Sequence, residues 1–172
     1  MKPNPGKFSP NTEDMNEGEG EPMWKRLLNT SDNVTDGILR LALAAVFFPH
    51  GAQKVLGWFG GYGLTGTLGF FTGKMGIPVV FALLAVAAEF LGSLGLFVGL
   101  LARVAAFGIF CNMAVAVAMV HSKVGFFMNW FGQMPAGNEG FEYHILAMAL
   151  AFAVMVRGAG PASLDRVISG KR

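Results

Sequence analysis

The chain has 172 residues, of which 53% are hydrophobic and 14% charged, with a formal net charge of +2. A soluble domain carries nearer 25% charged residues, so the main solvent of this chain is lipid, while the small net charge, with no basic stripe interleaved with aromatics, argues against nucleic acid. The single cysteine, Cys111, excludes an intrachain disulfide and a cysteine-based metal site, and reads as a small packed residue of an apolar helix.

Residues 1–22 are rich in Pro, Gly, Asn and Glu, a composition that cannot bury enough apolar surface to offset its ordering entropy, and disorder is expected there. The first 33 residues lack the hydrophobic core of a cleavable signal and carry Glu13, Asp14, Glu17, Glu19 and Glu21. The first apolar helix is therefore expected to act as the insertion signal and to stay in the membrane. Trp24-Lys25-Arg26-Leu27-Leu28 reads as a short interfacial helix with an aromatic anchor and two snorkelling cations. Ser31 or Asp32 is expected to cap the first apolar helix. Residues 1–33 thus form a disordered or interfacial tail before one domain over 34–172.

Four apolar helices are predicted in that domain. The first covers about 34–56 and holds Arg40, Pro49, His50 and Lys54; the proline predicts a kink near Val46. A Gly- and aromatic-rich stretch to about residue 76 is too broken to cross and is placed at the outer interface, with a short helix over about 63–74. The second helix, about 77–101, has a single charge, Glu89, and is long enough to cross a bilayer core of about 30 Å. A tight join at Leu101-Ala102-Arg103 makes it antiparallel to the third helix, about 103–121. An aromatic loop of about 20 residues leads to the fourth, about 141–157, and the chain closes with a turn and an amphipathic or coil end. Small residues four apart, Ala102/Ala106 and Ala114/Ala118, suit close helix packing in lipid. The expected fold is all-α, an integral membrane four-helix bundle. Cations concentrate in the two ends and at Arg103, which the positive-inside rule reads as cytoplasmic N- and C-termini with both aromatic loops outside.

Helical rise sorts the polar residues by depth: Arg40 about 6–9 Å from the cytoplasmic start, Asn112 about 13 Å, Glu89 about 15–20 Å and His50 about 20 Å. Glu89, Asn112 and His50 are thus expected to meet inside the bundle, with Arg40 below them, as a candidate pocket or proton-handling group. Lys54, His121, Glu142 and His144 fall nearer the outer face as a second cluster, the mouth of a cavity. A carboxylate at mid-membrane is costly and functional by default, although Glu89 hydrogen-bonded to Asn112 would also serve to fix helix register. Arg40 either snorkels to the headgroups or pairs with Glu89. No Glu-x-x-His for a di-iron bundle and no phosphate loop occurs, so no metal site and no catalytic residue is assigned, and a redox centre built by this chain alone is not expected.

The residues of this chain resemble the DoxX family of small four-helix bacterial membrane proteins. The resemblance rests on Arg40 with the Pro49-His50-Gly51-Ala52-Gln53-Lys54 exit, the Glu89-Phe-Leu-Gly-Ser-Leu-Gly-Leu run and the Gly99-Leu-Leu-Ala-Arg103 turn. Glu142 at the start of the last helix and the Gly158-Ala-Gly-Pro-Ala-Ser-Leu-Asp165 ending complete it, over about residues 34–166. Where the family ends close to Gly-Pro-Gly, this chain has Gly158-Ala159-Gly160-Pro161. The resemblance implies a multi-pass protein of the bacterial inner membrane and oxidoreductase partner subunits. The alternative it implies to such a partner complex is a quinone-facing role, and Arg40, His50, Lys54, Glu89, Arg103, Glu142 and Asp165 stand at the family's recurrent polar positions. The residues themselves leave open whether the chain is an enzyme subunit or a non-enzymatic scaffold or small-solute permease.

Overall fold

The computed structural model describes residues 22–135 and 137–170; apart from Pro22, the expected disordered tail lies outside them. Among the described residues the chain is all helix and turn. The helices are α1 (Met23–Leu28), α2 (Val34–Leu56), α3 (Gly63–Gly69, running on into a π-helical turn, Phe70–Lys74), α4 (Val79–Val98), α5 (Ala102–Met119), α6 (Glu142–Arg157) and α7 (Leu164–Ile168).

The four longest helices close on one another: α2 lies against α4 and α6, and α5 against the same two. Leu43 and Phe47 of α2, Leu96 of α4, Ala106 and Ile109 of α5, and Ala147, Ala151 and Val154 of α6 fill the centre. Alanines on α5 and α6 bring those backbones near, the device expected where packing must replace the hydrophobic drive. The outer faces are also apolar: Phe81, Leu84 and Leu91 of α4, Phe107 of α5, and Leu146 and Phe152 of α6 are all exposed. A belt this wide is foreign to a monomeric soluble surface. By length and composition α4 and α5 can cross a membrane.

Helix ends depart from the expectation at two places. Asn33 caps α2, its side chain accepting from the Thr35 N–H at 2.9 Å. The expected caps are otherwise engaged, Ser31 donating to Asp36 and Asp32 pairing with Arg166. The second apolar helix stops at Val98, three residues early, because Gly99 takes a left-handed conformation (φ 69°) and Leu101 another (φ 50°). The join to α5 is therefore residues 99–101, and Arg103 sits inside the first turn of α5. Helix α2 continues through Pro49 and ends at left-handed Gly57.

The short helix expected around Trp24–Leu28 is present as α1, Met23–Leu28. Helix α1 rests on α5 and α7, Leu28 is buried, and the Thr30 hydroxyl accepts from the Gly160 N–H.

Candidate functional site

Gly51 sets the geometry of the polar interior. A Cβ there would lie 2.6 Å from the Cα of Phe90 and 2.9 Å from the carbonyl carbon of Glu89, so α2 and α4 meet backbone to backbone at this level. One turn along α2, the Lys54 ammonium forms an ion pair with Oε2 of Glu89. From α5, Asn112 Nδ2 donates to Oε1 of the same carboxylate at 2.7 Å. Three helices thus converge on one buried acid. Gly51→Ala is expected to force the two backbones apart and to cost about 1–3 kcal/mol as overpacking, read as a lower thermal midpoint in detergent.

Two ring-bearing residues, His50 and Tyr143, stand next to this group. His50 has the spacing of the inward residues Leu43, Phe47 and Lys54, yet it is exposed. Its ring lies 6.4 Å from that of Tyr143 on α6 and 6.3 Å from that of Phe47. His50 thus stands at the seam between α2 and α6, with part of its side chain accessible from outside. Tyr143 contributes the most telling atom: its Oη is buried and has no hydrogen-bond partner, although Glu89 and its phenol are within electrostatic reach of each other. Buried polar atoms without partners are few in native proteins, and each calls for an explanation.

Beyond Tyr143 the polar residues continue toward the loop side. His144 is buried with Nδ1 unpartnered, and its ring centroid is 4.0 Å from that of His121, whose own Nδ1 lies 2.6 Å from the carbonyl oxygen of Glu139.

The structure regroups the residues singled out from sequence. Glu89 and Asn112 touch, and His50 stands beside them. Lys54 belongs to this inner group and not to the outer cluster. Glu142 faces away from the histidines: its Oε2 accepts from the Met128 N–H (3.2 Å) and the Trp130 indole (3.1 Å), while Glu139 accepts from the Asn129 N–H at 2.7 Å. Together these carboxylates fold the 126–131 loop over the start of α6. Glu142→Ala is expected to leave the interior intact, cost about 1 kcal/mol and shift Trp130 fluorescence.

Arg40 neither snorkels nor pairs with Glu89. It is buried at the opposite end, donating from Nη1 to the carbonyls of Leu96 (2.7 Å) and Phe97 (3.0 Å) and from Nη2 to that of Ala162 (3.2 Å). It closes the C-terminus of α4, whose last carbonyls have no helical partner. Asp165, carried by α7, does the converse for α5, accepting from the N–H groups of Leu101 (2.7 Å) and Ala102 (2.9 Å). Arg103 caps α6 through the Met155 and Val156 carbonyls, and Arg157 pairs with Asp36. This end is a structural base, apart from the polar group around Glu89.

Residues 36–122, half of the chain, match the DoxX family model. The chain belongs to the DoxX family. The match holds Arg40, His50, Lys54, Glu89, Asn112 and His121, while Glu142, Tyr143 and His144 lie beyond it. The chain is also similar to a Bacillus subtilis (strain 168) protein named "Putative oxidoreductase CatD", with 28% identity over 127 residues covering 74% of this chain and 83% of that relative. No solved structure matches the chain significantly. Within this DoxX chain, reading from sequence overlooks Gly51 and Tyr143. A glycine beside an ionisable pair is the available signal for the first; nothing local marks the second, because its importance comes from what it lacks.

Proposed function

We propose that this DoxX chain is a four-span protein of the bacterial plasma membrane with both ends in the cytoplasm. In this reading it is the membrane subunit of a quinone-linked oxidoreductase. The exposed apolar belt supports the spans. The orientation is supported by the cations, six of which (Lys25, Arg26, Arg40, Arg103, Arg157 and Arg166) gather at the base, whereas Lys54, Lys74 and Lys123 lie toward the other end.

The observation that carries the reading is the orphaned Tyr143 hydroxyl near His50 and a part-buried Lys54–Glu89 pair. A quinone headgroup presents carbonyl oxygens that need donors, and Tyr143 Oη, His50 and Lys54 are donors carried close to Glu89 by α2 and α6. When bound, a quinone supplies two-electron, two-proton carrier chemistry. The protein's part is to bind and to move protons. Tyr143 offers its hydroxyl to a ligand oxygen entering between α2 and α6, and Asn112 holds the Glu89 carboxylate in one orientation. Lys54 shares its proton with that carboxylate, and His144 and His121 lead on toward the outer loops.

Extraction in mild detergent with mass spectrometry and absorption spectroscopy of the product tests this. Wild type is expected to retain a quinone. Tyr143→Phe is expected to keep its thermal midpoint, since the hydroxyl has no protein partner to lose, yet to retain at least about tenfold less quinone, equivalent to about 1.4 kcal/mol. Wild-type protein carrying only phospholipid would overturn the proposal. One observation favours the second reading, a scaffold or small-solute permease: both oxygens of Glu89 are already satisfied within the protein. That reading expects no quinone and a Tyr143→Phe variant like wild type.

A further inference from the structure

At the base, α1 overhangs α5 and the end of α6 without filling the space beneath. A groove of about 420 Å³ remains, lined by Met23, Leu27, Val104, Phe107 and Met155, with Arg26 and Arg103 among its walls. Met23 and Leu27 are one turn apart on α1 and both exposed, as are Val104 and Phe107 opposite them. The groove therefore continues the apolar belt down to the level of the cations.

The charges around it do not cancel. Among the described residues this end holds six cations against Asp32, Asp36 and Asp165. Asp36 pairs with Arg157 and Asp32 with Arg166, and Asp165 lies near Arg40 and Arg103. Lys25 and Arg26 are exposed and make no ion pair with any described residue. Arg103 donates its hydrogen bonds to carbonyls, those of Asn29, Met155 and Val156. An open apolar groove with a positive rim fits an amphiphilic anion, and a free inorganic anion would have no use for five apolar side chains.

We infer that this groove seats one anionic phospholipid of the cytoplasmic leaflet, an acyl chain along the apolar wall and its phosphate against Arg26. The inference rests on the membrane reading above and is independent of any quinone. Anionic lipid is drawn to cations at the membrane surface. A seated lipid would bind α1 to α5 and α6, making the α1 segment part of the domain in the membrane.

The test is native mass spectrometry of the full chain, extracted in mild detergent and titrated with phosphatidylglycerol or phosphatidylcholine of matched chains. Wild type is expected to retain one phosphatidylglycerol with a preference of at least about fivefold, of the size expected for one or two surface cations. Lys25→Gln/Arg26→Gln should abolish the preference, and Val104→Trp should reduce retention of both lipids, each with unchanged helix content. Equal retention of the two lipids by wild type, a preference that survives Lys25→Gln/Arg26→Gln, or retention unchanged by Val104→Trp overturns the proposal. So does displacement by inorganic phosphate at matched concentration, which would make this a soluble-anion site. A preference seen only after removal of residues 1–21 also overturns it, since the acidic N-terminal segment would then be the occupant. An alkaline carbonate wash reads the membrane assignment separately: protein stripped by it refutes that assignment, and retained protein without lipid preference refutes this inference alone.

Discussion

Lys54→Met is expected to destabilise the protein by about 3 kcal/mol, the lower end of the range for breaking a buried ion pair by removing one partner. The lower end applies because the Lys54 side chain is 26% exposed, whereas that of Glu89 is only 5% exposed. Without the ammonium, Glu89 keeps a single side-chain donor, Asn112, and an uncompensated charge is left inside the helices. At about 2–4 °C per kcal/mol for a chain of this size, the thermal midpoint in detergent should fall by roughly 6–12 °C. The double variant Lys54→Met/Glu89→Leu should recover most of that loss, because a well-packed apolar pair replaces a buried ion pair at little or no cost. Quinone retention should obey the opposite logic: lost in the double variant although stability returns. A Lys54→Met protein that melts with wild type would show that the pair does not hold the helices together. A double variant that retains both stability and quinone would remove Glu89 and Lys54 from the proposed site.

How much of the molecule is readable in the residue string depends on how far each interaction reaches along the chain. The first apolar helix is predicted over 34–56 and lies at Val34–Leu56, because Asn33 and Gly57 punctuate an otherwise continuous run. Helical rise puts Glu89 and Asn112 within a turn of the same depth, and their side chains meet at 2.7 Å. The same arithmetic misplaces Lys54, because it counts backbone rise alone. Helical side chains lean toward their own N-terminus, and a long one reaches back about a turn; on α2 that direction leads to Glu89. Arg40 escapes the arithmetic for a different reason. Its partners, the carbonyls of Leu96, Phe97 and Ala162, lie 56 or more residues away and are backbone atoms with no signature in the residue string. Glu142 is a similar case, its partners fixed by the fold of a loop that has no periodicity to read. The orphaned hydroxyl of Tyr143 is a negative feature, and only coordinates reveal one.

Asp165→Ala is expected to be as damaging as the loss of Lys54, although the residue lies in a five-residue helix away from the Glu89 group. The residue is 1% exposed, and its carboxyl accepts from two N–H groups at the start of α5, where a helix offers no partner of its own. Burial pushes this carboxyl up from its ordinary value, while the N–H groups of Ala102 and Leu101 and the charges of Arg40 and Arg103 pull the other way. Hydrogen bonds to a charged group contribute about 1.5–3 kcal/mol each, so losing two of them should cost at least about 3 kcal/mol even after some relaxation. Asp165→Asn keeps an acceptor but not the charge, and should fall between wild type and alanine. The local readout is amide exchange: Leu101 and Ala102 should lose protection in Asp165→Ala before the interiors of α4 and α5 do. Arg40 stands on the same join, donating to the last carbonyls of α4, so the two residues close opposite helix ends at one tight turn. A double-mutant cycle between Asp165→Ala and Arg40→Met should therefore show coupling within the range of about 0.5–3 kcal/mol typical of residues in one network. Additive losses would mean that the α4–α5 turn is held by two independent caps, and that the C-terminal helix stabilises α5 without reporting on α4.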